Sequence, residues 1–265
     1  MSEQLQLINI PVIVLFFLLF TSFSESFAYR IADAYFFPSR KIINHKWKYI
    51  LKSRSFCDHC EQSIPPLHLI PVLGYFFAHG KCSHCKKSIH IKYPLMEIIG
   101  LMYGMLTAWF HPDFYYAGLT LFFMVNLYII SVIDFHFFII PTIPLLLSLG
   151  AAIFNLVLLS PATSFLILTI SIAFSWYAVL HIIRFMAPEK LGMGDIHLIF
   201  ILSLAILPPH SLYLPTVASA FAFIFTVFIR NKTKKDIRKI KIPFGLFLSL
   251  AFLVLRMLPD LNLFM

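Results

Sequence analysis

Charge is scarce in this 265-residue sequence: Asp, Glu, Lys and Arg make up 12% of it, where a soluble domain carries about a quarter. With 60% of residues hydrophobic and a mean hydropathy of +0.85, there is too little polar surface to cover a water-soluble globule. There is also too much apolar surface for a disordered chain. A cytosolic enzyme and a secreted enzyme are therefore set aside. Cysteine is absent outside residues 57–85, which excludes a disulfide-rich secreted scaffold. No Gly-rich phosphate loop, internal repeat or low-complexity tract is evident. The opening Met1-Ser2-Glu3-Gln4 has no Lys or Arg, so the first apolar run reads as a retained anchor and not as a signal peptide.

What is present is a series of apolar runs near 8–27, 94–110, 117–134, 139–159, 163–184, 196–208, 212–229 and 243–258. A bilayer-spanning helix needs about 20 such residues, so the sixth is short. Pro112, Pro161, Pro208 and Pro209 punctuate the connections. The fold class expected is an all-α polytopic membrane protein with about eight transmembrane helices. A first helix over 1–27 would precede a small zinc-ribbon-like cytoplasmic domain over 28–93, followed by a multi-span domain over 94–265.

The net charge of +9 looks out of place until its position is read. All but one of the 21 Lys and Arg fall in three segments, 28–93, 184–195 and 230–242. With eight spans these lie on one side, and the opposite loops hold no Lys or Arg. The positive-inside rule makes the basic side cytoplasmic. Nucleic-acid binding is the competing reading of basic patches; the loop parity disfavours it, and no nucleic-acid partner is expected.

All four cysteines form two turns, Cys57-Asp58-His59-Cys60 and Cys82-Ser83-His84-Cys85. Paired CxxC turns in a reducing compartment suit tetrahedral Zn²⁺, which would stabilise so small a domain. His59 and His84 are alternative ligands, expected to be solvated or to support the thiolates. Free thiols are the remaining reading.

Glu25, Glu97, Asp134 and Asp195 fall in or at the edges of the spans, where ionisable groups are costly and mark function. Asp134 ends the third span, and Asp195 opens the sixth within Gly192-Met193-Gly194-Asp195. Parity puts both at one face and similar depth. Two carboxylates there suggest aspartyl-protease chemistry, with one ionised to activate water and the other protonated to polarise the scissile carbonyl. Gly192 and Gly194 would admit close approach to the carboxylate. For each Asp taken alone, helix capping or neutralisation of Arg184 or Lys190 competes with this reading. The pairs Asp134-x-His136 and Asp195-x-His197 raise a metal site, but i and i+2 face different ways on a helix.

In this order these residues resemble the type IV prepilin peptidases, also called leader peptidase and N-methyltransferase enzymes, of the GxGD-type intramembrane aspartic protease family. The likeness lies in the paired CxxC block, the connection Ile70-Pro71-Val72-Leu73-Gly74-Tyr75, Tyr93-Pro94-Leu95-Met96-Glu97, Asp134 seven residues before Pro141, GxGD at 192–195, and Ile242-Pro243-Phe244-Gly245. The resemblance implies Asp134 and Asp195 as a catalytic dyad that cuts a short basic leader from type IV prepilins or type II secretion pseudopilins. It implies residence in the bacterial inner membrane, zinc at the four cysteines, and S-adenosylmethionine-dependent methylation of the new N-terminus. The sequence departs from the family at Glu25, where Asn is usual, at His136 and His197, and at Thr142. Those departures motivate an alternative, a diverged paralogue that binds pilin helices as a scaffold without cutting them. A small transporter using the acids as relays is a third class, with no use for the cysteine module.

Overall fold

The computed structural model describes residues 3–36, 50, 54–57, 59–111, 113–159, 163–188, 191–233 and 241–258. Among them every apolar run of the sequence is a helix and there is no strand, only two isolated β-bridges. The helices are α1 (Glu3–Phe36), α2 (Leu73–Phe77), α3 (Lys92–Phe110), α4 (Phe114–Phe137), α5 (Thr142–Leu159), α6 (Thr163–Met186), α7 (Met193–Ala205), α8 (His210–Thr233) and α9 (Phe244–Met257). Four segments, Asn9–Ala32, Phe114–Phe137, Thr163–Met186 and His210–Lys232, are long and apolar enough to cross a membrane. Helices α5, α7 and α9 are apolar but shorter. The basic residues Arg40, Lys41, Lys46, Lys48, Lys52, Lys190, Lys234, Lys235, Arg238 and Lys239 lie outside the described residues, as do Asp58, Pro112 and Pro161.

The first helix outruns its apolar stretch. Residues 28–36 contain three alanines and neither Gly nor Pro, so nothing stops the hydrogen-bond ladder where hydropathy falls. At the head of α4, Asp113 Oδ2 accepts the Tyr116 N–H at 2.8 Å, a side-chain cap.

The chain divides into two compact units, 1–121 and 122–265. In the first, α1 packs along α3 through small residues. Gly100 faces the Thr21 side chain, and a Cβ on Gly104 would lie 2.6 Å from Phe17 Cβ. This Gly-x-x-x-Gly face lets two backbones approach as membrane helices do.

In the second unit the 13-residue α7 packs against α5, α6, α8 and α9. Ile196, Leu198, Ile199 and Leu202 are all fully buried. A helix surrounded by protein can be short, which accounts for the short sixth run. Its C-terminal carbonyl at Ala205 accepts Arg256 Nη1 at 3.0 Å and Asn155 Nδ2 at 3.3 Å.

Candidate active site and metal centre

The second unit holds both aspartates. Asp134 occupies the last turn of α4, is only 5% exposed, and is followed by Phe138 in the left-handed region (φ 56°). Its own helix presents carbonyls here, which disfavours a carboxylate. The compensation comes from α9, whose N-terminal Leu246 N–H donates to Asp134 Oδ2 at 3.3 Å, with the Gly245 N–H also directed at this carboxylate. A Cβ on Gly245 would lie 3.0 Å from Asp134 Oδ2. The closing Pro243-Phe244-Gly245 segment thus supplies a helix N-terminus with room for an oxygen.

Asp195 lies in the first turn of α7, the favourable end for an acid. The Gly192 N–H donates to it, and a Cβ on Gly192 would lie 2.8 Å from its Oδ2. Gly194 abuts Ile140, with 3.0 Å from the ideal Cβ position to Ile140 Cβ, and Ile140 Cδ1 also lies 3.3 Å from the same position on Gly245. Ile140 therefore links the two helix starts, and the charge of Asp134 acts on Asp195.

The competing roles have other partners. Arg184 Nη1 donates to the Leu191 carbonyl. His136 Nδ1 lies 2.8 Å from the Val132 carbonyl, and His197 sits 6.1 Å, centroid to centroid, from the Tyr177 ring. Among the described residues, neither histidine joins an aspartate in a cluster fit for a metal.

The first unit holds the cysteines. Their four sulfurs all lie within 4.8 Å of one another, with Cys57–Cys85 at 3.8 Å and Cys60–Cys82 at 3.9 Å. A zinc tetrahedron with Zn–S near 2.3 Å has sulfurs about 3.8 Å apart. His59 and His84 are exposed and, among the described residues, belong to no such cluster.

The two turns are copies of one another, a repeat absent from the sequence reading. Residues 57–64 and 82–89 both fit Cys-x-His-Cys-x-x-Ser-Ile. Each has the same bridge, Phe56 to Ser63 and Lys81 to Ser88. Each has a left-handed residue after its second cysteine, Glu61 (φ 57°) and Lys86 (φ 59°), and matching hydrogen bonds from Ile64 to Ser55 and Ile89 to Gly80. The eight-residue pattern at a spacing of 25 was the available signal.

N–H groups of Cys85 and His84 pull the Cys82 thiol down to about 6 from 9.0. At Cys60 the Gln62 N–H lowers the pKa, but desolvation and the sulfurs of Cys85, Cys57 and Cys82 outweigh it and push the thiol up to about 11. Four thiolates at this spacing repel one another; a bound dication lets all four ionise.

Glu97 ties this unit together: one oxygen accepts Ser22 Oγ at 2.5 Å and the other accepts the Val72 N–H at 2.6 Å. Val72 is left-handed (φ 63°), a costly state for a β-branched residue, so this bond holds the Ile70–Tyr75 connection in shape.

Residues 15–111 match the model of the Bacterial Peptidase A24 N-terminal domain. The chain is 30% identical to the prepilin leader peptidase/N-methyltransferase of Vibrio cholerae over 48% of each protein. It is 34% identical to that of Dichelobacter nodosus over 40% of this chain and 38% of the relative. It is 26% identical to that of Aeromonas hydrophila over 82% of this chain and 76% of the relative. The match spans about half the length of the first of these relatives and less of the second. No solved structure matches the chain.

Proposed function

We propose, from the peptidase A24 N-terminal match and the prepilin leader peptidase relatives, that the chain is a prepilin leader peptidase that cleaves prepilins or pseudopilins with Asp134 and Asp195. The observation that carries this reading is the pair of carboxylates, with the charge of Asp134 acting on Asp195, each held at a helix N-terminus beside a glycine. One carboxylate, ionised, takes a proton from water as the hydroxide oxygen bonds to the scissile carbonyl carbon. The other, protonated, donates to the carbonyl oxygen. Collapse of the tetrahedral gem-diol breaks the C–N bond: the proton held by the first carboxylate goes to the leaving amine, and one hydroxyl proton returns to the second carboxylate as the new carboxyl C=O forms. The substrate leader is basic, and the cut is made at the cytoplasmic face; the grouping of Lys and Arg in alternate loops supports this orientation.

The cysteines Cys57, Cys60, Cys82 and Cys85 hold a structural Zn²⁺ that cross-links the two turns; the near-tetrahedral sulfur spacing supports it. N-methylation of the new N-terminus is the second activity, with S-adenosylmethionine supplying the methyl group when bound. The relatives' name as N-methyltransferases supports this step.

The test is co-expression with a prepilin followed by mass spectrometry, which reads the cleavage site and N-methylation together. Wild type should yield a shortened, methylated chain, and Asp134→Ala and Asp195→Ala a full-length one. Either variant cutting at the wild-type rate would remove the dyad. An uncut prepilin bound by the wild-type protein would instead support the scaffold reading.

A further inference from the structure

Between the two cysteine turns lies a stretch that the bilayer-length runs do not include. Residues 62–80 hold no Asp, Glu, Lys or Arg, although they sit inside a basic segment of the chain. An apolar stretch this short is either buried core or an interfacial segment. Its exposure decides against core. Leu73, Phe76 and Phe77 stand at i, i+3 and i+4 on α2, and Leu67 lies on the preceding 3-10 turn, Pro66–Leu69. All four are between 49% and 62% exposed. None of them lines the cavity between the cysteine turns and α1, so they face outward. A Cβ on Gly74 would run into the His68 carbonyl, so the turn and α2 pack as one compact piece.

Glu97 fixes the depth of this piece. Its carboxylate takes the Val72 N–H at 2.6 Å and the Ser22 hydroxyl at 2.5 Å. Ser22 lies five residues inside the end of the apolar run 8–27, and Glu97 five residues past the start of α3 at Lys92. Each offset is about 7.5 Å along a helix. Two helices thus place Val72 below the ends of the apolar runs, at the depth of about 5–10 Å that interfacial segments reach.

The backbone is equipped for that depth, where unbonded N–H groups are costly. Pro65, Pro66 and Pro71 have none to satisfy. His68 donates to the Pro65 carbonyl at 3.0 Å, Gly74 to Ile70 at 2.7 Å and Ala78 to Gly74 at 3.0 Å. Beside this piece an exposed apolar stripe on α3, Ile91, Leu95, Ile98 and Met102, continues into the span. Beyond it in sequence, Lys81, Lys86 and Lys87 are exposed cations, the charge that anionic phospholipid headgroups attract.

We propose that Leu67, Leu73, Phe76 and Phe77 form an interfacial anchor that enters the acyl-chain region of the leaflet on the side of the cysteine turns. Lys81, Lys86 and Lys87 meet anionic phospholipid headgroups above it. The anchor seats the tetracysteine module on the bilayer, and it is independent of the aspartate chemistry and of methyl transfer.

Photocrosslinking tests this in the full-length protein, in nanodiscs of equal parts phosphatidylethanolamine and phosphatidylglycerol. p-Benzoylphenylalanine replaces one residue at a time: Phe76, Leu67, Leu106 on α3, and Glu61, an exposed acid on the first cysteine turn. After irradiation, mass spectrometry should find intact phospholipid joined through an acyl chain at positions 76 and 67. The yield should match that at 106 and exceed that at 61 about tenfold, as expected for a side chain that partitions into lipid. Helical circular dichroism and elution volume equal to wild type show that each labelled protein is folded. A yield at 76 or 67 no higher than at 61 overturns the proposal, as do adducts confined to headgroup atoms. A peptide adduct in place of lipid, from this chain or from a co-expressed prepilin, also overturns it, because the patch is then a protein contact.

Discussion

Gly245→Ala isolates the contact between Asp134 and the start of α9. The added methyl would lie 3.0 Å from Asp134 Oδ2, 3.3 Å from its Cγ and 3.3 Å from Ile140 Cδ1, so the carboxylate must give by a few tenths of an ångström. The Leu246 N–H bond, already 3.3 Å, lengthens further. Gly245 is inside a helix, where Ala is favoured over Gly by about 1 kcal/mol, so folding should not suffer. A charge-assisted hydrogen bond contributes about 1.5–3 kcal/mol, which corresponds to roughly a 10- to 150-fold fall in rate if the bond orients the reacting carboxylate. Initial rates of prepilin cleavage in detergent, followed by gel mobility, measure it. Gly150→Ala is the control, since a Cβ there meets nothing within 4 Å, and its rate should equal wild type. Equal rates for Gly245→Ala and wild type would show that the α9 N-terminus does not support Asp134. So would a loss matched by a fall in melting temperature, since unfolding would then explain it.

Zinc analysis should find one ion per chain, and Cys57→Ser or Cys82→Ser should lose it along with the protease resistance of residues 54–90. In metal-free protein near pH 7, iodoacetamide should label Cys82 first, because its thiol sits near 6. Below pH 6 the thiol protonates and that selectivity should disappear. Gly100→Ala pushes a methyl into the Thr21 side chain and should destabilise α1–α3 packing by about 1–3 kcal/mol, with partial recovery in a Thr21→Ala background. Arg256→Met removes the bond to the Ala205 carbonyl and the stacking on Phe123 and Phe252, 5.5 and 5.9 Å from the ring centroids. It should lower thermal stability by about 1.5–3 kcal/mol, and Arg256→Lys by less, since Lys lacks the planar fork.

The helices were legible because bilayer-length apolar runs leave few alternatives, and Cys57 to Cys85 were legible because CxxC spacing fixes a ligand geometry. The end of α1 was not, since hydropathy reports where lipid would stop and not where the backbone ladder stops. The role of Gly245 was hidden for another reason: its meaning depends on Asp134, 111 positions earlier in the sequence, and no local pattern encodes that pairing. The duplicated Cys-x-His-Cys-x-x-Ser-Ile turn was on display and went unread beneath the metal pattern. Glu25 was visible as an acid in an apolar run, but only the fold reveals that it lines a cavity together with Glu97 and Lys92.

The two aspartates are held by opposite means, and this explains the order of motifs along the chain. Asp195 follows its glycines directly, so one local segment, 192–195, supplies the carboxylate, the favourable helix end and the space around it. Asp134 sits at the unfavourable end of α4, and no local sequence can reverse that polarity. The chain must bring another helix start to it, which is α9, with a proline cap at Pro243 and glycine at 245. Helix α9 is then constrained at both ends: its first turn faces Asp134, and Arg256 in its last turn bonds the C-terminal carbonyl of α7, the helix whose first turn carries Asp195. Helix α9 thus contacts both the helix end that carries Asp134 and the helix whose first turn carries Asp195. The Pro243-Phe244-Gly245 segment is in this sense a partner of Asp134 as well as the start of an apolar helix.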